Sequence, residues 1–158
     1  MEHVRIGVIG VSGRGGTASH WHDPAGRSSL VAGADINPAY LRDFSDQYGP
    51  GVFTTTDFRE LLARGDIDAV GVFSPDHFHE EHAIAALQAG KHVFCEKPLA
   101  VTVAGCDRIL RAWKASGKKF LMGFNMRYMR WVRVMKQVVD EGVIGDLKAV
   151  WVRHFVPA

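Results

Sequence analysis

The segment FCEKPLAV, residues 94–101, sets an acid and a base side by side at the end of an apolar run. Lys97 is a residue type that can move a proton to or from a hydroxyl, and partial desolvation brings an ammonium toward the range where it does so. Glu96 can orient that ammonium or accept hydrogen bonds from a ligand's hydroxyls. Pro98 restricts the residue before it and so fixes the lysine's direction, and an X–Pro bond permits the cis form. The competing reading of the tripeptide is an ordinary surface ion pair ahead of a helix.

A second constellation lies near the N-terminus. Gly10-Val11-Ser12-Gly13-Arg14-Gly15-Gly16 follows an apolar run. In the dinucleotide fingerprint GxGxxG, the first glycine makes a tight turn and the second admits the pyrophosphate. The third lets a helix pack closely on the strand. Gly10 and Gly15 take the first and third places, while Ser12 stands in the second with Gly13 beside it. The serine is small, and its hydroxyl can donate to a phosphate oxygen. Asp35 follows Gly10 by 25 residues, at the end of the next apolar run. An acid there accepts from the adenosine ribose hydroxyls and repels a 2′-phosphate, which favours NAD over NADP. Arg14 can contact the pyrophosphate or, against that preference, a 2′-phosphate. The plainer reading of Asp35 is a strand-end cap.

Ser74-Pro75-Asp76-His77-Phe78-His79, with Glu80, Glu81 and His82 after it, gathers histidines and acids in one stretch. The spacing H-x-H-x-x-H has no downstream ligand to complete a tetrahedral metal site, so no metal is expected. The segment reads as a strand-to-helix loop in which Ser74 and Pro75 line the nicotinamide-side ribose. Asp76 or Ser74 is expected to cap the next helix. His20 and His22 read as a surface feature at a helix end.

The elements that must position these groups alternate. Strands are expected at Val4–Ile9, Leu30–Asp35, Val52–Thr54, Ala69–Phe73, His92–Cys95 and Phe120–Met122. Most are nearly continuous in apolar residues, as strands covered on both faces are. Helices are expected at Pro38–Tyr48 behind Asn37, and at Asp57–Arg64 with Thr56 or Asp57 as cap and Glu60 in a capping box. Glu80–Ala89 stops at Gly90, and Val103–Ser116 stops at Gly117. The alternation predicts a doubly wound α/β domain with a parallel sheet. Ligands bind outside the carboxyl ends of such strands, which puts Glu96, Lys97 and Pro98 at the mouth of the crevice. The tail differs: one helix over Met126–Glu141, a turn over Gly142–Asp146, and a strand over Lys148–Val156 that alternates like one of an antiparallel sheet. It reads as the opening of a second domain, dividing the chain into residues 1–124 and 125–158.

Composition excludes several classes. A hydrophobic share of 47%, a charged share of 23% and a net charge of +2 are those of an ordinary globular domain and argue against nucleic acid as a partner. Arg127, Arg130, Arg133 and Lys136 recur every three residues, but as the solvated edge of an amphipathic helix. No apolar run reaches membrane-spanning length, and MEHVRIGVIG lacks the regions of a signal peptide. The two cysteines, Cys95 and Cys106, form no disulfide pattern, and a reducing, cytoplasmic setting is expected.

GVIGVSGRGG, GADIN, VFSPDHFH, HVFCEKPLAV and FNMRYM occur in this order along the chain. Together they resemble the Gfo/Idh/MocA oxidoreductases over essentially its whole length, with the Glu-Lys-Pro element the most specific. The resemblance implies a Rossmann fold followed by a substrate-binding sheet domain that starts at Leu147. It makes Lys97 the lysine that sits at the nicotinamide and assists proton transfer. Gly10, Ser12, Gly15 and Asp35 match cofactor positions, and His79 matches the histidine of the fourth-strand loop. Asn125 and Arg127 match the segment bordering the active site on the substrate side. Gly13, Arg14, Ser74, Pro75 and Glu96 complete the expected cofactor contacts.

The activity expected from the resemblance is hydride transfer between NAD and a sugar or polyol hydroxyl. Two alternatives stand beside it: an NAD-dependent glycoside hydrolase of the same family, which accumulates no NADH, and a dinucleotide-sensing regulator without catalysis. The family's second domain carries an aspartate and a histidine used in catalysis. These 158 residues are therefore expected to bind dinucleotide with little or no turnover alone. The apolar side of the tail helix is expected to pack against another chain, as in a homo-oligomer.

Overall fold

A computed structural model describes residues 3–153 of the chain. The strands are β1 (Val4–Ile9), β2 (Ser28–Ala34), β3 (Phe53–Thr55), β4 (Ala69–Val72), β5 (His92–Cys95) and β6 (Phe120–Met122). They form one sheet in the order β3-β2-β1-β4-β5-β6, with every neighbouring pair parallel. This is the doubly wound arrangement expected from the alternation. The chain winds outward from β1 to β3, then returns to place β4 beside β1. A crevice opens at that reversal, outside the carboxyl ends of β1 and β4.

Both faces of the sheet are covered, for reasons the strands carry themselves. On one face Ile6, Val8 and Leu30 pack with Ala18, Leu41 and Phe44, from the segment after β1 and from α1 (Pro38–Tyr48). On the other, Ile9, Val70, Val72 and Val93 pack with Leu61, Leu87 and Ile109. Leu61 belongs to α2 (Phe58–Ala63), Leu87 to α3 (His79–Gln88) and Ile109 to α4 (Val103–Ser116). Strand residues apolar on alternate sides are what a sheet sandwiched between helices needs.

Local chemistry sets the helix ends. The Asn37 side chain accepts the Ala39 N–H at 3.0 Å, with Pro38 in the first turn. Asp57 caps α2 by accepting the Arg59 N–H at 2.9 Å. Glu60 does not complete a capping box; its carboxylate accepts the Thr55 hydroxyl at 2.6 Å, a tertiary competitor for the same group. Thr102 accepts the Gly105 N–H at 3.0 Å and starts α4. Gly90 and Gly117 stand at the ends of α3 and α4 with positive φ, as glycines past a helix end do.

Further expectations need correction. Residues 13–21 after the glycine turn form a 3-10 segment, Gly13–Trp21, where the fingerprint calls for an α-helix. Three glycines, Thr17 and Ser19 give it poor helix propensity. No side chain caps the turn before α3, because the Ser74 hydroxyl is engaged with His82 and a 3-10 turn, Asp76–Phe78, leads in without a cap. The tail helix is broken. A 3-10 turn, Asn125–Tyr128, is separated by an extended Met129 from α5 (Arg130–Asp140), although the apolar spacing runs through the break.

The strand expected over Lys148–Val156 is absent across residues 148–153, and its remainder lies outside the described residues. A strand needs a neighbour for its backbone groups, and those residues have none among the described residues. Contacts divide the chain into two units, Met1–Gly123 and Phe124–Ala158. Among the described residues, no helix is long and apolar enough to cross a membrane.

Candidate functional site

The glycine turn is dictated by close approaches at two positions. Gly10 has φ 82°, and a Cβ on it would lie 2.7 Å from the Ser74 nitrogen. A Cβ on Gly15 would overlap the Gly10 carbonyl oxygen. These two glycines let the end of β1 press against the loop after β4 and against the 3-10 segment. Gly13 differs: its φ is 53°, and a Cβ there would meet nothing within 4 Å. The turn therefore presents an open, side-chain-free backbone next to Ser12, a cradle suited to a phosphate. The residues present fit a dinucleotide's pyrophosphate.

Asp35 sits immediately beyond β2 and is fastened there. Its Oδ2 accepts the Val11 N–H at 3.1 Å, and its Oδ1 accepts the Asn37 N–H at 3.0 Å. The carboxylate is a strand-end cap, and each of its oxygens keeps a second lone pair. A cleft of about 430 Å³ runs from Gly10 and Asp35 past Ile36, Phe58 and Arg59 to Ser74, Pro75, Phe78 and His82. Ser74 and Pro75 therefore share a cleft with Asp35. The sequence reading put them toward the nicotinamide ribose.

The histidines of the β4 loop are structural in their contacts. His79 is 1% exposed. Its Nε2 lies 2.8 Å from the Ser74 carbonyl oxygen and its Nδ1 2.5 Å from that of Pro98. Carbonyls only accept, so the ring must donate to make each bond; the neutral ring makes one and the doubly protonated ring both. Both ring nitrogens face these carbonyls, and His79 ties the loop after β4 to the loop after β5. His82 lines the cleft with its Nδ1 2.8 Å from the Ser74 hydroxyl, and its ring stacks on Phe78 at 5.5 Å. Burial holds His82 below the usual histidine range; Glu81 opposes that, and His79 and Arg59 add to it.

At the end of β5 the acid and base of the opening segment part company. Glu96 is 4% exposed and Lys97 is exposed. The Glu96 carboxylate does not pair with the Lys97 ammonium. Its Oε1 accepts from the Arg14 guanidinium, with Nε at 2.8 Å, and its Oε2 accepts the Lys97 backbone N–H. A surface ion pair is thereby excluded for Glu96. The partial desolvation expected of Lys97 is not supplied by these neighbours. The Lys97–Pro98 bond is cis. Beneath it, burial chiefly, with the Glu96 charge adding, pushes the Cys95 thiol up to about 12.

His20 is exposed, but His22 is not a surface feature. It accepts the Leu30 N–H at 3.1 Å and packs edge-on against Tyr48. Between them Trp21 packs on Phe73 and Phe94 at 5.5 and 4.9 Å, holding the 3-10 segment to the sheet. In the second unit Asn125 and Arg127 are exposed on one 3-10 turn, with the Arg127 guanidinium 4.9 Å over the Phe124 ring. The sequence reading left out Phe58, Arg59, Phe78 and His82. An aromatic residue shortly after β3 and another after β4, both at the carboxyl edge, were the available signal.

The sequence profile of the Gfo/Idh/MocA family, described as an oxidoreductase family with an NAD-binding Rossmann fold, matches residues 4–124. The chain belongs to this family. Among relatives of the Gfo/Idh/MocA chain, inositol 2-dehydrogenase of Gluconacetobacter diazotrophicus is 40% identical over 126 residues, covering 79% of this chain and 37% of that protein. The inositol 2-dehydrogenase of Salmonella typhimurium is 33% identical over 156 residues, 96% of this chain and 46% of that protein. Of solved structures, scyllo-inositol dehydrogenase from Lactobacillus casei with bound NAD(H) and scyllo-inositol aligns with TM-score 0.83 and 34% identity. It covers 92% of this chain and 43% of that one. The WlbA dehydrogenase from Bordetella pertussis, in complex with NADH and UDP-GlcNAcA, aligns with TM-score 0.83 at 26% identity, over 91% and 44%. The chain spans less than half the length of these relatives.

Proposed function

We propose that the chain is the NAD-binding part of a dehydrogenase that moves hydride between NAD and a hydroxyl of a polyol, of the inositol class. The observation that carries this reading is the grouping at one sheet edge. The open glycine turn and fastened Asp35 lie on one side of β4, and Glu96 and Lys97 follow β5 on the other. Inositol dehydrogenases among the relatives support the substrate class. When bound, nicotinamide supplies the hydride chemistry. Lys97 exchanges a proton with the substrate hydroxyl, Asp35 holds the adenosine ribose and selects NAD over NADP, and Glu96 accepts from the second ribose. Asn125 and Arg127 are assigned to the substrate from the family resemblance alone. The unpaired cysteines Cys95 and Cys106 support a reducing, cytoplasmic setting. Trp131, Val134 and Met135, exposed on α5, support a homo-oligomer.

Calorimetric titration with NAD and then NADP tests the cofactor assignment. Net NADH formation from inositol by the whole enzyme, lost in Lys97→Ala with NAD affinity kept, tests the reaction. Turnover without NADH accumulation would point instead to the family's hydrolase chemistry.

A further inference from the structure

The Arg14–Glu96 pair joins positions 82 residues apart and crosses from the end of β1 to the end of β5, with β4 between them. It therefore spans the reversal point of the sheet, where the crevice opens. The two partners stand in unlike surroundings. The Glu96 side chain is 5% exposed, whereas that of Arg14 is 55% exposed on the glycine turn. Two demands fall on one guanidinium. A buried carboxylate stripped of its cation is left with an uncompensated charge, which is strongly unfavourable. A phosphate held on the adjoining turn is a strong, fork-shaped acceptor for the same group.

We propose that this pair couples the two halves of the dinucleotide, an inference that rests on the NAD-binding reading above. A pyrophosphate on the glycine turn competes with Glu96 for Arg14. Drawing Arg14 away costs Glu96 its partner. A ligand that also brings ribose hydroxyls to the end of β5 supplies replacement donors to that carboxylate; one that stops at the diphosphate does not. The pair thus makes Arg14 a specificity-determining residue. It disfavours ADP, which has the adenosine and the diphosphate, relative to NAD, which adds the second ribose.

The test is calorimetric titration of the 158-residue chain and its Glu96→Gln variant with ADP and with NAD. The amide keeps the shape of the side chain and removes the charge that competes for Arg14. The expected result is ADP binding about tenfold tighter in Glu96→Gln, the size of one charge-assisted hydrogen bond, with the NAD-to-ADP affinity ratio falling by about as much. If Glu96→Gln does not fold, Glu96→Asp is read instead. It keeps the charge, shortens the reach to Arg14, and should also tighten ADP. Unchanged or weaker ADP binding by a folded variant overturns the coupling while leaving the NAD reading intact. A parent chain that binds neither ligand overturns both.

Discussion

Asp35 is tied to the glycine turn through Val11: its Oδ2 accepts the Val11 N–H at 3.1 Å, so the acid ending β2 also fixes the turn that ends β1. The two halves of the fingerprint, 24 residues apart in sequence, are one hydrogen-bonded unit. A single carboxylate thereby shapes the turn and lines the cleft beside it.

Because of this dual role, Asp35→Asn is a sharper probe than Asp35→Ala. The amide oxygen can still accept the Val11 N–H, so that tie to the turn is kept while the charge goes and the Asn37 N–H loses its acceptor. NAD affinity should fall by about tenfold, and NADP should lose less, because the repulsion of its 2′-phosphate is removed. Titration of both ligands measures this. Equal losses for NAD and NADP would remove Asp35 from the ribose site.

His79 holds two loops by their carbonyls, those of Ser74 and Pro98. His79→Phe keeps an aromatic ring but removes the donor. The expected loss is about 1–3 kcal/mol of stability, the cost of one unsatisfied group, since the neutral ring makes one of the two bonds. His79→Gln, with one donor group, should recover most of that loss. Urea unfolding of the three proteins decides it, and a His79→Phe chain as stable as the parent would show that the tie is unimportant.

At the opposite edge of the sheet the Asp68 carboxylate accepts from the Arg5 Nε at 3.0 Å, its second nitrogen at 2.8 Å and its backbone N–H at 2.8 Å. The Arg5 side-chain hydrogen bonds, opposed by burial and helped by its backbone and charge, lower the Asp68 pKa to about 2. A carboxylate depressed in the fold binds fewer protons there than in the unfolded chain. Its stabilisation is complete above the ordinary aspartate pKa near 4 and disappears as pH falls toward about 2. Asp68→Asn should therefore be less stable than the parent at neutral pH, with the difference narrowing over that interval. Unfolding midpoints measured from pH 6 down to about 2 test the sign. A gap that stays constant or widens on acidification would contradict the ion-pair account.

The two cysteines should be chemically unlike. Cys95 is fully buried with its thiol pushed up to about 12, whereas Cys106 is partly exposed. The thiolate is the reactive form, so iodoacetamide at pH 8 should label Cys106 alone in the folded chain and both after urea. Mass spectrometry counts the adducts. Rapid labelling of Cys95 under native conditions would place it outside the core.

Some of this was legible from the chain itself. The largely apolar runs 4–9, 92–95 and 120–122 gave strands with the observed limits, because short runs rich in β-branched and aromatic residues fit a pleated sheet. Pro38 behind Asn37, and the glycines 90 and 117, marked helix ends because their backbone preferences are local. The tail was misread where that locality fails. The spacing of Met126, Met129 and Val132 is helical across a residue whose backbone is extended, and the alternation in residues 148–153 cannot supply the neighbouring strand it needs.

What the sequence by itself determined is the residue types at the carboxyl edge: the glycines of the turn, Asp35, and the Glu96-Lys97-Pro98 segment, each placed by the strand that precedes it. What the tertiary structure decided is who pairs with whom. Adjacency suggested Glu96 with Lys97, but the buried carboxylate takes Arg14 from 82 residues away, and His79 spends its ring on two backbone carbonyls. Neighbours in a chain share a backbone, whereas a charge or a polar ring is satisfied by whatever group the packed fold brings within about 3 Å, and sequence distance has no part in that selection.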